Sequence, residues 1–306
     1  MSWARKIGNL LSDPPPEFVF EISEAGIAWA RCLHVETGFA PLEPGVLSIS
    51  PLADNLTKPA VFQAEVARMA AANGNGRNKT KGAVLVLPDY CARVAVLDFD
   101  AFPSQPDEQV SLIRFRMKKS VAFDVDAAAI SHFAQPHMSG EKKLDVVVAL
   151  VALETLARYE APFRAVGLQP GLVTTSTLAA LDLASHSAGE EFPKAASVLV
   201  KLAGKVLTVS VLVKGALKLL RCLELEDLEI DALTGILFPT LAYMEDELKM
   251  KPGVMLGCGL GRLQMPLEFL CSQELGVPLQ PLRSRFGAVT AQNAGMLGYL
   301  ESRGKA

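Results

Sequence analysis

The apolar residues of this chain change period repeatedly, and each change marks a new element. Phe18-Val19-Phe20-Glu21-Ile22 and Gly26-Ile27-Ala28-Trp29-Ala30-Arg31-Cys32-Leu33 are β-rich runs split by Ser23-Glu24-Ala25, a spacing that predicts a hairpin. Val61, Val66 and Met69 predict a helix over 61–72, and Asn73-Gly74-Asn75-Gly76-Arg77-Asn78-Lys79 predicts a loop. Buried-type strands follow at 82–88 and 90–98. A helix is predicted from Pro103 through Lys119, because Pro106, Asp107 and Glu108 suit a first turn. Strands at 127–135 and 144–150 and a helix over 153–166 complete a compact unit. Residues 82–166 thus read β-β-α-β-β-α, an α+β pattern.

A strand at 172–175 and a helix at 176–185 come next, and the loop over 186–193 reads as a domain boundary. A second hairpin is predicted from strands at 197–202 and 206–212 around Ala203-Gly204-Lys205, with a third strand at 217–223. Then come a helix over 238–248 with Pro239 in its first turn, and a strand at 253–256. The turn Gly257-Cys258-Gly259-Leu260-Gly261 leads into a helix over 264–275, and the last helix is predicted over 288–300.

Composition narrows the class. The chain has 306 residues, a length that suggests two domains, and its 50% hydrophobic and 21% charged residues exclude disorder for most of it. A net charge of -3 leaves no global basic field, so no nucleic-acid partner is expected. Five scattered cysteines with no CxxC pair fit a reducing compartment. No signal peptide is expected at the start, and the longest apolar run, 146–153, is too short for a membrane span. Trp3, Ile7, Leu10 and Leu11 share one helical face before Ser12-Asp13-Pro14-Pro15-Pro16 stops the pattern. Residues 3–11 are either a foot on a membrane or partner, or a terminal helix packed on its own domain.

Other chemistry is sparse. The four histidines show no zinc spacing, and no Walker-type loop or Gly-x-Ser-x-Gly is present. Cys258 is either a thiolate favoured by a helix N-terminus or a buried, inert thiol. Arg114, Arg116, Lys118 and Lys119 form the densest basic cluster, read as a solvated helix face or as a dock for an acidic partner or lipid headgroups.

The two hairpins, at 18–33 and 197–212, share one layout. One hairpin per half resembles the actin and sugar-kinase superfamily, whose hairpin turns approach the nucleotide phosphates. Ala83 to Pro88, the helix after Phe102-Pro103, Phe123-Asp124-Val125-Asp126 and the run from Tyr159 to Pro170 resemble the PilM proteins of type IV pilus assembly, over about 18–300. That family is related to the cytoplasmic part of the type II secretion L protein, which carries a membrane span. The resemblance implies an α/β, actin-like (ribonuclease H-like) fold of two lobes, with a small α+β subdomain inserted in lobe one and a reduced second lobe. The expected division is 1–16, an N-terminal segment; 17–81 and 167–192, lobe one; 82–166, the insertion; and 193–306, lobe two. It also implies a partner: the cytoplasmic tail of a PilN-like inner-membrane protein, held in a groove beside the insertion. Arg114, Phe115, Lys118 and Phe123 are the candidate groove residues. Other pilus assembly components and a cytoplasmic location at the inner membrane follow from the same resemblance; the peripheral lipid contact of residues 3–11 rests on their helical spacing.

By resemblance the nucleotide residues would be Glu21, Ser23 and Gly26 in the first turn, Lys201 and Gly204 in the second, and Gly257, Gly259 and Gly261 in an adenosine-type turn. Phosphate binding needs backbone N–H groups, small residues and a carboxylate for Mg²⁺. Both family turns read Asp-hydrophobic-Gly, and this chain departs from each. Ser23 replaces a glycine, Glu24 adds a negative charge where phosphate belongs, and Lys201 replaces the second acid. The stretch 223–253 is too short for a nucleotide-walling subdomain. A degenerate scaffold without catalytic residues or a metal site is therefore expected. No cofactor is assigned; ATP with Mg²⁺ is left as what the family would bind. The alternatives are an active ATPase using Glu21 and the 257–261 turn, or a small-molecule kinase.

Overall fold

The computed structural model describes residues 16–33, 35–72, 80–138, 143–189 and 196–303. The expectations for residues 3–11 and for the loop at 73–79 fall outside them. Lobe one opens with β1 (Phe18–Ser23), β2 (Gly26–Arg31), β3 (Glu36–Pro41), α1 (Pro59–Ala72) and β4 (Lys81–Leu87). An insertion follows, with β5 (Arg93–Phe99), α2 (Pro106–Met117), β6 (Ala128–Pro136) and β7 (Leu144–Ala152). The chain returns through α3 (Leu153–Ala165), β8 (Leu168–Thr175) and α4 (Ser176–Ser187). Lobe two holds β9 (Ala196–Ala203), β10 (Val206–Val213), β11 (Ala216–Glu224), α5 (Ile230–Asp246), β12 (Pro252–Cys258), α6 (Gln264–Leu270) and β13 (Leu279–Pro281). The last described element is α7 (Ala294–Arg303).

The two lobes repeat one sheet. Lobe one runs β3-β2-β1-β4-β8 and lobe two runs β11-β10-β9-β12-β13. In each, an antiparallel meander of three strands is extended by two parallel strands. Alternation along the central strands sorts their side chains between two layers. Phe18, Phe20 and Ile22 of β1 face an outer core with α1 and α3, whereas Val19 faces inward. Val198, Val200 and Leu202 of β9 likewise face the outer core of lobe two, and Leu199 faces inward. One apolar cluster, with α4 and α7 at its centre, draws residues from both sheets and joins the lobes. Glu21 and Lys201 occupy inward positions on β1 and β9, so the pleat points both charges into this shared layer.

The sheets draw the insertion more tightly than the expected 82–166. Strand β4 pairs in parallel with β1 and β8, so it belongs to lobe one. Helix α3 also packs on lobe one: Tyr159 and Phe163 are fully buried against Phe62 and Phe20. The insertion is a three-stranded sheet, β5-β7-β6, with α2 on it, a β-α-β-β unit. The predicted strand at 90–98 starts at 93, because Asp89–Cys91 form a short 3-10 turn. Strand β3 escaped prediction, since its exposed outer face leaves little apolar pattern. Helix α5 begins at Ile230, so Pro239 lies inside it and not in its first turn. Between β11 and β12 this helix stands alone, without strands of its own. The last helix starts at Ala294, six residues later than predicted. No helix among the described residues is long and apolar enough to cross a membrane.

The insertion is tied to lobe two. Lys218 of β11 donates to Asp145 Oδ2 of β7 at 2.6 Å and to the Pro136 carbonyl at 3.3 Å, and Gln135 donates to the Leu217 carbonyl at 2.5 Å. Both members of the ion pair are buried. Removing Lys218 leaves the buried Asp145 with only His137, 3.8 Å away, so Lys218→Met should cost up to about 3–5 kcal/mol, read as a lower urea midpoint. The crossing of α4 and α7 gives a second expectation. A Cβ at Gly298 would lie 2.0 Å from the Ala179 carbonyl oxygen, a backbone atom that cannot move aside alone. Alanine normally stabilises a helix interior relative to glycine by about 1 kcal/mol. Here Gly298→Ala should instead destabilise by about 1–3 kcal/mol in the same measurement, because overpacking outweighs propensity.

Candidate functional site

The centre of the site is Asp89, a residue that the sequence motifs did not single out. Pro88 ends β4 at its carboxyl end, where ligand sites of α/β sheets gather. The 3-10 turn that follows buries the Asp89 carboxylate between the lobes. Four donors converge on it. Thr177, at the start of α4, gives its backbone N–H at 2.7 Å and its hydroxyl at 2.6 Å. Thr208 of β10 donates at 3.1 Å and Lys201 of β9 at 3.2 Å. The two ion-paired side chains are only 2% and 4% exposed. Burial alone would raise the Asp89 carboxyl, but Lys201 and the Thr177 bonds outweigh it and hold it below the usual range. Burial would likewise pull Lys201 down, yet Asp89 and Glu21 raise it above the ordinary lysine value. The pair is therefore ionised.

Glu21 completes the layer. Its Oε1 accepts from the Ser176 hydroxyl and its Oε2 accepts from the Met296 backbone N–H at 2.8 Å. Burial pushes its carboxyl up, against the lowering by Lys201 and these two bonds. Above this network lies a cleft of ≈ 410 Å³ between the hairpin turns. Glu21, Ser23, Lys201 and Gly204 line it, as does Glu24. Ser23 is turned to its own hairpin, donating to the Gly26 carbonyl at 3.0 Å. A Cβ at Gly204 would lie 3.4 Å from the Glu24 carboxylate, so the two turns nearly meet. Partial burial pushes Glu24 up, and Glu224 across the lobes adds to this.

The remaining nucleotide candidates lie elsewhere. Gly26 packs under Phe39 and the Ala40 carbonyl. In the turn after β12, Gly259 has φ +70°, and a Cβ there would lie 2.1 Å from the Leu202 carbonyl oxygen and 2.6 Å from Ala291. Glycine at 259 thus serves close packing. Gly257 is crowded by Leu260, and Gly261 stands open; neither lines the cleft. Cys258 is buried and its thiol is pushed up to about 12, which makes it inert. No group of three or more potential metal ligands occurs among the described residues. A Mg²⁺-bound phosphate fits this network poorly, since the Lys201 ammonium already stands among the carboxylates that would face the metal and Glu24 lines the cleft where phosphate would lie.

The candidate partner residues separate. Phe115 is 79% exposed on α2. Arg114 is engaged by the Val125 carbonyl and Asp126, and Arg116 by Asp98 and the Phe99 ring. Lys118 is exposed at the end of α2. Phe123 alone of the four lines a groove, one of ≈ 370 Å³ between the insertion and lobe two. A different groove, of ≈ 280 Å³, runs between the insertion and lobe one. Ala129, Ile130 and Ser131 of β6, Leu172 to Thr175 of β8, and Leu156 and Leu178 line it. Both β6 and β8 are outer strands of their sheets, so each carries backbone groups that no neighbouring strand uses. The Thr175 hydroxyl is buried there without a hydrogen-bond partner.

The chain matches no protein-family model and no curated protein. It does match solved structures. A PilM–PilN type IV pilus biogenesis complex superposes with a TM-score of 0.70 at 18% identity, over 96% of this chain and 100% of that one. A Bacteroides thetaiotaomicron protein described as having an actin-like ATPase fold and unknown function superposes with a TM-score of 0.54 at 9% identity, over 92% and 94% of the two chains. The repeated five-stranded sheet, the insertion in its first copy and these near-complete superpositions agree on the architecture: the chain has an actin-like, two-lobed α/β fold.

Proposed function

We propose that this protein is a scaffold of a type IV pilus or related secretion assembly, and that it holds the extended cytoplasmic tail of a PilN-like membrane protein. The observation that carries this reading is the apolar groove between β6 and β8, in a fold that matches a PilM–PilN complex along its whole length. An extended peptide can add to an open strand edge, with backbone bonds giving affinity and alternate side chains entering pockets. The groove has an outer strand in each wall and apolar seats at Ile130, Leu156 and Leu172. The location at the inner membrane would then come from the partner. ATP turnover is not part of this reading, because Glu21 and Asp89 are committed to internal donors. An active ATPase would need Glu21 released from Ser176 and Met296.

Calorimetric titration with a soluble PilN-like tail peptide tests the reading. Binding is expected for the wild type. Leu172→Asp, at a position 46% exposed on the groove wall, should weaken it by tenfold or more, about 1.4 kcal/mol, without unfolding the protein. Phe115→Asp should leave it unchanged. The reverse pattern would move the docking site to α2, and no binding at high micromolar peptide would end the partner assignment.

A further inference from the structure

We propose that Lys201 itself holds the cation seat of the inter-lobe cleft, so that an internal ammonium joins the lobes where actin-like folds would use a metal-bound phosphate. This goes beyond the scaffold reading and does not depend on which partner the groove takes.

Glu21 and Lys201 stand at matching places: each lies on the central strand of its sheet, three positions before its two-residue hairpin turn. Glu21 pairs with Ala28 of β2 and Lys201 with Thr208 of β10. A repeated architecture thus brings these two positions into one layer from opposite lobes. Two acids there, beside Asp89, would leave three carboxylates facing one another and would require a bound cation. A lysine at the second position supplies the positive charge covalently.

A hard divalent cation needs six or more oxygen ligands. The four carboxylate oxygens of Glu21 and Asp89 instead receive Ser176, Met296, Thr177, Thr208 and Lys201. These donors come from β9 and β10 of lobe two as well as from α4 and α7. The network therefore links the lobes, and every carboxylate oxygen in it has a protein donor. The near-contact of Glu24 with Gly204 at the cleft mouth is the outward sign of that link.

The test combines Mn²⁺ titration, read by electron paramagnetic resonance, with hydrogen exchange at the two hairpin turns, 24–25 and 204–205. Wild-type protein should retain no Mn²⁺, with or without ATP, and its turn exchange should not respond to Mg²⁺ and ATP. Lys201→Asp should gain Mn²⁺ binding, because a third carboxylate replaces the ammonium. Its turns should exchange at least tenfold faster than wild type without metal and slow again with it. Should Lys201→Asp fail to fold, the double variant Asp89→Asn, Lys201→Met removes both charges and keeps an amide acceptor for Thr177; its turns should also exchange at least tenfold faster. The proposal is overturned if wild type retains Mn²⁺ and Asp89→Asn abolishes that retention. It is equally overturned if folded Lys201→Asp binds no Mn²⁺, or if the double variant exchanges at the wild-type rate. Peptide titration on the same wild-type preparation reports on the groove separately.

Discussion

A buried aspartate and a buried lysine stay charged inside this molecule chiefly because each faces the other. Asp89 comes from lobe one and Lys201 from lobe two, so the requirement that they remain together is also a requirement on how the lobes sit. Loss of either partner would leave an ion desolvated at a cost of about 3–5 kcal/mol, a large share of the roughly 5–15 kcal/mol that holds a typical domain folded. The neighbours of the pair supply further donors to the carboxylates. The first turn of α4 supplies Thr177, β10 supplies Thr208, and α7 crosses close enough to place the Met296 N–H on the neighbouring Glu21. The glycines of α7 permit that crossing, since a side chain at 298 would collide with the α4 backbone.

The second buried pair, Lys218 with Asp145, repeats the device at another boundary. It fastens the insertion to lobe two, although the insertion is connected by chain only to lobe one. Both pairs thus cross between units that sequence order would leave apart. The apolar layers alone would allow the sheets to slide, because hydrophobic burial has little directional preference. The ion pairs and their hydrogen bonds add direction.

Local pattern was enough for much of the architecture. The apolar run Phe18-Val19-Phe20-Glu21-Ile22 marks a strand that proves buried on both faces, and the similar run at 197–202 marks its copy in lobe two. The hairpins, the insertion's strands and the Gly257–Gly261 turn could all be read this way. What escaped were features set by distant partners. Asp89 follows a buried strand and a proline with nothing to mark it as central; its four donors lie 88 to 119 positions away. A carboxylate at the carboxyl end of a parallel strand was the signal available. Strand β3 is held by backbone pairing to β2 and not by its own apolar face. The boundary at 82 failed because an inserted unit begins after a strand of its host, and no compositional break marks that point. The acidic stretch before α5 hid the true start of that helix, although Ile230, Leu233 and Leu237 already carry its apolar spacing.

The tie between insertion and lobe two has a mechanical consequence. One wall of the apolar groove, β8, belongs to lobe one, whereas the other, β6 with β7, is pinned to lobe two through Lys218. The groove is in effect a caliper whose jaws are mounted on different bodies. From the wall of β6 and β7 the connection runs through Asp145 and Lys218 to β11, and by strand pairing to β10 and to β9, the strand that carries Lys201. A load that parts the two walls would thus reach the lobe joint by way of a buried ion pair that lies outside the groove lining.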